Sequence, residues 1–236
     1  MNRFYSASLE VSVFPDFVDD EDAGPVLEIE QGRHPTVDIE DFIANDTSLV
    51  SDSKCLLLTG PNMGGKSTII RQVGLLTLLA HYGCAVPAES MRLSVVDRIF
   101  TRLGASDRLL SGESTFMVEM TETSAILNSG TSQSLMLLDE LGRGTSTSDG
   151  QAIAGAVLEN VASRGVRAIF STHYHKLATK ALPVGCKSMH MACHVTEEDG
   201  AETITFLYTL TDGAAEKSHG FNAARLAAIP EKVVKV

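Results

Sequence analysis

The chain is 236 residues long, 44% hydrophobic and 21% charged, the balance of a globular protein long enough to bury a core, which excludes disorder on a large scale. A formal charge of −11 argues against a surface that grips a nucleic-acid backbone unaided, because phosphate contacts need clustered Lys and Arg. No run of 18 apolar residues occurs, the polar opening MNRFYSASLE is not a secretory signal, and the four cysteines (Cys55, Cys84, Cys186, Cys193) form no C-x-x-C pair, so an intracellular protein in a reducing compartment is expected.

Residues 1–25 read as the end of a connecting segment, closing in the acidic, proline-flanked loop PDFVDDEDAGP. The stretch VLEIEQGRHPTV alternates like a strand, FIANDTSLV reads as a second, edge element, and CLLLTG is a buried central strand. Apolar side chains at Ile69, Ile70, Val73, Leu76, Leu79 and Ala80 predict a helix over 67–82. After the hydroxyl-rich TRLGASDRLLSGESTF, a second helical pattern runs through Met117, Met120, Ile126 and Leu127. The buried strand SLMLLDE follows, then the loop LGRGTSTSDG, a helix from about Gln151 to Ala162, and the strand VRAIFSTH. KSMHMACHV and ETITFLYTL, separated by TEEDGA, read as an antiparallel hairpin at the edge of the sheet. Strands alternating with helices predict an α/β fold, a mainly parallel sheet with helices on both faces, whose ligands bind at the C-terminal ends of the strands. Cys186, His190, Cys193 and His194 carry ligand chemistry, but their spacing matches no zinc pattern and adjacent residues of a strand point to opposite faces, so no metal centre is expected there.

Three features fall at predicted strand ends. TGPNMGGKST carries the spacing Gly60-x-x-x-x-Gly65-Lys66-Ser67, a phosphate-cradling loop whose glycines let backbone N–H groups turn inward around polyphosphate oxygens. Lys66 is placed to reach the β and γ phosphates, Ser67 to hold Mg²⁺, and the helix that follows adds its dipole to the same anion. The pair Asp139-Glu140 then offers one carboxylate to Mg²⁺ and one to orient and deprotonate a water; by itself such a pair also marks a buried strand meeting solvent, and the glycine-rich loop turns the reading toward chemistry. His173 ends the next strand, within reach of a γ-phosphate.

TGPNMGGKST, FTRLGASD, SGESTF, DELGRGTSTSDG and STHYH, in this order, resemble the ATPase domain of the MutS mismatch-repair family, a branch of the ABC-type P-loop NTPases. The resemblance covers about residues 26–230 and implies a lever segment ending at 25 and a truncated C-terminal dimerisation region starting at 231–236, with the chain a fragment of a longer protein. SGESTF, HMACHV, ETITFLY and GFNAARLA resemble the eukaryotic branch of MutS homologue six, whose members pair with MutS homologue two; this implies a nuclear protein and a heterodimer acting on mismatched DNA held by domains outside this chain. His219 stands where tyrosine is common in the family.

The resemblance also implies roles. Gly60, Pro61, Asn62, Met63, Gly64, Gly65, Lys66, Ser67 and Thr68 form the phosphate loop, with Asn62 positioning the γ-phosphate and water. Ser67 ligates Mg²⁺ with Asp139 behind it, Glu140 is the general base, and His173 contacts the γ-phosphate. Phe42 and Tyr208 sandwich adenine, although as aromatics either could equally be core. Ser114 and Thr115 reach the phosphates bound by the partner subunit, so the isolated domain is expected to hydrolyse ATP poorly. The alternatives are a meiotic MutS homologue, another ABC-type ATPase such as a transporter subunit or chromosome-structure protein, and a non-hydrolysing scaffold. DELGRG and SGEST in place of a proline after the acids and an SGGQ signature speak against a transporter, and the intact Lys66, Ser67, Asp139 and Glu140 against a scaffold.

Overall fold

The computed structural model describes residues 11–19, 24–104, 114–198, 201–215 and 229. Ten strands and four helices lie among the described residues: β1 Asp16–Phe17, β2 Leu27–Gly32, β3 Asn45–Leu49, β4 Cys55–Thr59, α1 Lys66–His81, β5 Ser90–Leu93, β6 Ile99–Arg102, α2 Thr115–Ser129, β7 Leu135–Asp139, α3 Thr147–Ser163, β8 Arg167–Ser171, α4 His175–Thr179, β9 Cys186–Glu198 and β10 Ala201–Asp212. GFNAARLA, His219, the last residues of FTRLGASD and the first of SGESTF lie outside the described residues.

Six strands form the main sheet in the order β10-β9-β4-β8-β7-β6. All its neighbours pair in parallel except β10, which runs antiparallel to β9. The expected edge hairpin is therefore present, and CLLLTG is an interior strand, buried at every residue. Because successive side chains of a strand point to opposite faces, these uniformly apolar strands feed two cores. Leu56, Leu58, Leu137 and Ile169 pack on the α1 side, whereas Leu57, Met136, Leu138 and Phe170 pack against α3 and Ile126 of α2. Helices thus cover both faces, as the strand–helix alternation predicts.

The second sheet, β1-β5-β2-β3, is larger than the sequence reading anticipates. β2 is antiparallel to β3 and β5, and β1 pairs in parallel with β5. The loop PDFVDDEDAGP accordingly contributes a strand at Asp16–Phe17. Leu27, Ile29, Leu49 and Leu93 of this sheet share a core with Ile70, Val73 and Leu76 of α1, so α1 is buried between two sheets. Arg167 fastens them together: wholly buried at the start of β8, its guanidinium donates to the carbonyls of Val26, Ser94, Val95 and Gln133. Burial lowers its pKa to about 10, against the pull of Asp97.

Two local rules set the helix limits around the site. α1 stops where the amides of Gly83 and Cys84 turn back to the carbonyls of Ala80 and Leu79. α3 begins at Thr147, four residues before its sequence-based start, because the Ser146 hydroxyl accepts the Asp149 amide at 3.2 Å and Asp149 sits in the first turn. A run of Ser, Thr, Asp and Gly reads as loop by composition, although here it is an N-cap.

Cys186 lies opposite Cys55 in the β4–β9 register and Cys193 opposite Phe206 in the hairpin. Among the described residues no three His, Cys, Asp or Glu side chains are grouped to hold a metal ion.

Candidate functional site

At the C-terminal end of β4 the chain turns through residues 60–65 and enters α1, and a cavity of about 660 Å³ opens over this turn. Its lining has two parts, one from the loop and its surroundings (Pro61, Asn62, Met63, Gly65, Lys66, Ser67, Thr68 and Glu140) and one from segments remote in the chain (Val37, Ile39, Phe42, Ile43, Asn45, Met191 and Tyr208); Met191 and Tyr208 lie against Gly65, where the two parts meet. The structure thus brings the contiguous loop, one carboxylate of the acid pair and both predicted aromatics to one concave surface.

The loop is shaped by backbone constraints. Gly65 has φ +100°, a conformation that calls for glycine, and Met191 Cε and Tyr208 Cδ1 would stand 3.3 and 3.5 Å from a Cβ placed there. Met63 also has a positive φ, +66°, and is largely exposed at the loop tip. Lys66 is buried, and its ammonium donates to the carbonyls of Gly60 at 2.9 Å and Pro61 at 3.0 Å. Burial lowers the Lys66 pKa, while Glu140 and Asp139 oppose that and Arg143 adds to it. A desolvated ammonium at the base of a glycine-rich turn attracts an anion.

The acids occupy the end of β7. Asp139 is buried and accepts from the Ser67 hydroxyl at 2.7 Å and from the Ser171 hydroxyl. Its neighbour Glu140 has φ +53°, and its amide donates to both the carbonyl and the hydroxyl of Ser171 at 3.1 Å. That turn separates the two carboxylates: Asp139 stays within the sheet end, whereas Glu140 reaches out between two cations, Lys66 at 3.8 Å and Arg143 at 2.7 Å. Ser67 and Asp139 together form a hard-oxygen donor set of the kind Mg²⁺ prefers, so the residues present fit that ion.

His173 follows β8, half-buried, its ring centroid 4.0 Å from that of Tyr174. Burial first, then Arg143, His175 and Lys66, lower its pKa; the imidazole is neutral at neutral pH. Ser114 is exposed and caps α2 by accepting the Met117 amide at 3.2 Å. Thr115 is likewise exposed and, with Glu140 and Arg143, borders a smaller cavity of about 200 Å³ outside the large one.

In the remote part of the lining, Phe42 lies in a turn before β3, with the Arg33 guanidinium 5.4 Å from its ring centroid. Tyr208 sits on an irregularity where the β9–β10 register shifts between Phe206 and Leu210, at φ +53°. Asn45, absent from the sequence-based site, holds that irregularity. Its amide donates to the carbonyls of Ile43 at 3.1 Å and Tyr208 at 2.9 Å, and its oxygen accepts the Leu210 amide at 2.6 Å. The sequence carries a signal for it: in NDTSL the inward phase is Asn45, Thr47 and Leu49, and a polar side chain on a buried phase requires a partner. Ser171, also missed, shows the same signal as a hydroxyl closing a fully buried strand.

Residues 56–236 match the MutS domain V family. Over 233 residues the chain is 52% identical to the DNA mismatch repair protein Msh6 of Gallus gallus, an alignment covering 90% of this chain and 17% of that protein. It is 51% identical over 232 residues to the DNA mismatch repair protein Msh6 of Homo sapiens, covering 91% and 17%, and 50% identical over 242 residues to the probable DNA mismatch repair protein Msh6 of Drosophila melanogaster, covering 98% and 20%. The chain therefore spans a fifth or less of the length of these relatives.

Proposed function

The chain belongs to the MutS family and resembles its Msh6 branch over most of its length, and from that premise we propose that it is the ATP-binding and ATP-hydrolysing domain of a DNA mismatch-repair protein. In this reading residues 26–230 form a P-loop NTPase domain of the ABC type, working in the nucleus in a heterodimer with a second MutS homologue, the homologue-two branch. Mismatched DNA is held elsewhere in the assembly, consistent with the charge of −11.

The observation that carries the proposal is the arrangement around Lys66: its buried ammonium, the Ser67 hydroxyl with Asp139 2.7 Å behind it, and the Glu140 carboxylate 3.8 Å from the ammonium, with Lys66, Ser67 and Glu140 all lining the large cavity. Lys66 neutralises β and γ phosphate oxygens, and the loop amides of residues 60–68 cradle them. Ser67 ligates Mg²⁺ and Asp139 supports it from behind; the bound ion supplies further neutralisation of phosphate charge. Asn62 and neutral His173 orient the γ-phosphate, while Glu140 holds the attacking water and accepts its proton. Phe42 and Tyr208 stack on adenine. Ser114 and Thr115, exposed at the start of α2, face outward to a partner's nucleotide, so that ATP joins two ATPase domains and hydrolysis releases them, passing the change to a clamp on DNA.

The test is Glu140→Gln in the heterodimer, with ATP binding and single-turnover hydrolysis measured together. Binding is retained and hydrolysis falls on the order of 10²-fold or more. Unchanged hydrolysis removes Glu140 as the base, whereas an absence of hydrolysis already in the parent heterodimer leaves a domain that dimerises without turnover.

A further inference from the structure

We propose that Glu119 and Tyr174 are positioning residues for the Glu140 carboxylate, acting by clamping both backbone polar groups of Gly142, two residues along the same loop. The inference rests on the reading of Glu140 as general base.

Glu119 lies one turn into α2 and is 3% exposed. A carboxylate this buried requires both charge compensation and hydrogen bonds. Arg102, at the end of β6, supplies the first at 3.6 Å, and is itself bound by Glu122 at 3.2 Å. The Gly142 amide supplies the second, donating to Glu119 Oε1 at 2.9 Å. On the opposite side the buried phenol of Tyr174 donates to the Gly142 carbonyl at 2.8 Å. Burial and the nearby Glu119 carboxylate push the phenol pKa up, which keeps it a donor.

A third element closes the clamp. Gly142 has φ +93°, and a Cβ on it would fall 2.6 Å from the Gly150 carbonyl oxygen in the first turn of α3. The reverse also holds, since a Cβ on Gly150 would fall 2.2 Å from Tyr174 Oη and 2.3 Å from the Gly142 oxygen. The two peptide units that flank the Gly142 Cα are thus gripped by α2, by α3 and by the segment leaving β8.

Upstream, the Glu140 amide is fixed on Ser171 and Leu141 is wholly buried. Glu140 is a non-glycine residue at positive φ, a conformation that persists only where its surroundings over-determine it. The clamp on Gly142 and the Ser171 bonds are those surroundings. They decide that the Glu140 carboxylate leaves the sheet toward Lys66 while Asp139 stays behind. Because Glu119 follows Ser114 and Thr115 by about one helical turn, roughly 6 Å along a rigid element, displacement of the helix start reaches Gly142 directly.

The experiment compares Tyr174→Phe, Glu119→Ala, Glu119→Gln and Gly150→Ala with the parent and with Glu140→Gln, in the full-length protein assembled with its partner. Tyr174→Phe lowers kcat about 10-fold with the KM for ATP changed by less than about 2-fold, and Glu119→Ala lowers kcat about 100-fold. Glu119→Gln, which keeps an acceptor for the Gly142 amide, recovers part of that loss. Gly150→Ala, ordinarily a gain in helix propensity, lowers kcat and leaves nucleotide binding intact. Wild-type kcat in Tyr174→Phe and Glu119→Ala overturns the clamp, as does a loss that falls equally on ATP affinity and is not relieved by glutamine. If Glu140→Gln is inactive while those variants turn over normally, the clamp fails and the base assignment stands; if Glu140→Gln turns over normally, the base assignment fails and takes the clamp with it.

Discussion

The two parts of the large cavity's lining, which the proposed function makes the phosphate end and the aromatic end, are built in opposite ways. The first comes almost entirely from one uninterrupted stretch, residues 60–68, between an apolar strand and an amphipathic helix. The second is assembled from the turn and strand around residues 37–45 and from Tyr208, joined by an Asn45–Tyr208 hydrogen bond spanning 163 residues of chain. A local motif carries its geometry in its own backbone, whereas a long-range pocket depends on two sheets meeting in register. Damage to each end should therefore have a different signature. Changes at the phosphate end weaken every polyphosphate, and changes at the aromatic end weaken only ligands that carry a base.

The largest effect tests this directly. Lys66→Ala removes a buried ammonium and is expected to weaken both ATP and inorganic tripolyphosphate by about 3 kcal/mol, on the order of 10²-fold, measured by displacement of a fluorescent nucleotide. A loss confined to ATP would break the division between the two ends. A smaller and more selective effect is expected for Asn45→Ala. It leaves the Tyr208 carbonyl and the Leu210 amide without their side-chain partner, destabilising the protein by about 2 kcal/mol in a denaturant titration. ATP affinity falls about tenfold while tripolyphosphate affinity is unchanged. Equal losses for both ligands would show that the irregularity in β10 also supports the phosphate loop, through the close approach of Tyr208 to Gly65.

The smallest effect concerns pH, and it rests on two histidines that line neither part of the cavity. His34 has its pKa lowered by burial and then by Arg71, and His173 has its pKa lowered by burial and then by Arg143, His175 and Lys66. For each, the unfolded chain takes up a proton at about pH 6.5 before the native chain does. Stability is therefore lost as pH falls from about 6.5 toward the lower folded value, and is fully present above 6.5. His34→Gln and His173→Gln should each flatten the decline of the unfolding midpoint between pH 7 and pH 5. An unchanged slope in both would mean that these histidines are not proton-linked to folding.

Much of the main sheet is legible without coordinates, because β4, β7 and β8 are apolar at nearly every position and lie between helical patterns long enough to show a period. The second sheet and the β6 edge of the main one are less so. β1, β5 and β6 are two to four residues long, too short to display alternation, and they exist as strands only because a neighbour supplies their hydrogen bonds. The early start of α3 was written in the sequence as Ser146 and Asp149 but masked by a loop-like composition. In the site, Lys66, Ser67, Asp139 and Glu140 stand out because type and spacing point to one chemistry. Asn45, Glu119 and Tyr174 do not, since each acts through a backbone group remote in the chain, and no local pattern marks the partner.

What the sequence determined by itself was the order of the longer strands and helices, the glycine-rich loop between β4 and α1 and the presence of two adjacent acids, all properties of short segments whose backbone preferences and periodicity are set by nearest neighbours. Tertiary structure alone decided that the acids diverge, that α1 lies between two sheets and that Tyr208 returns to the loop. These outcomes rest on hydrogen bonds and burial between residues tens to more than a hundred positions apart, whose free energy appears only when both partners are already in place.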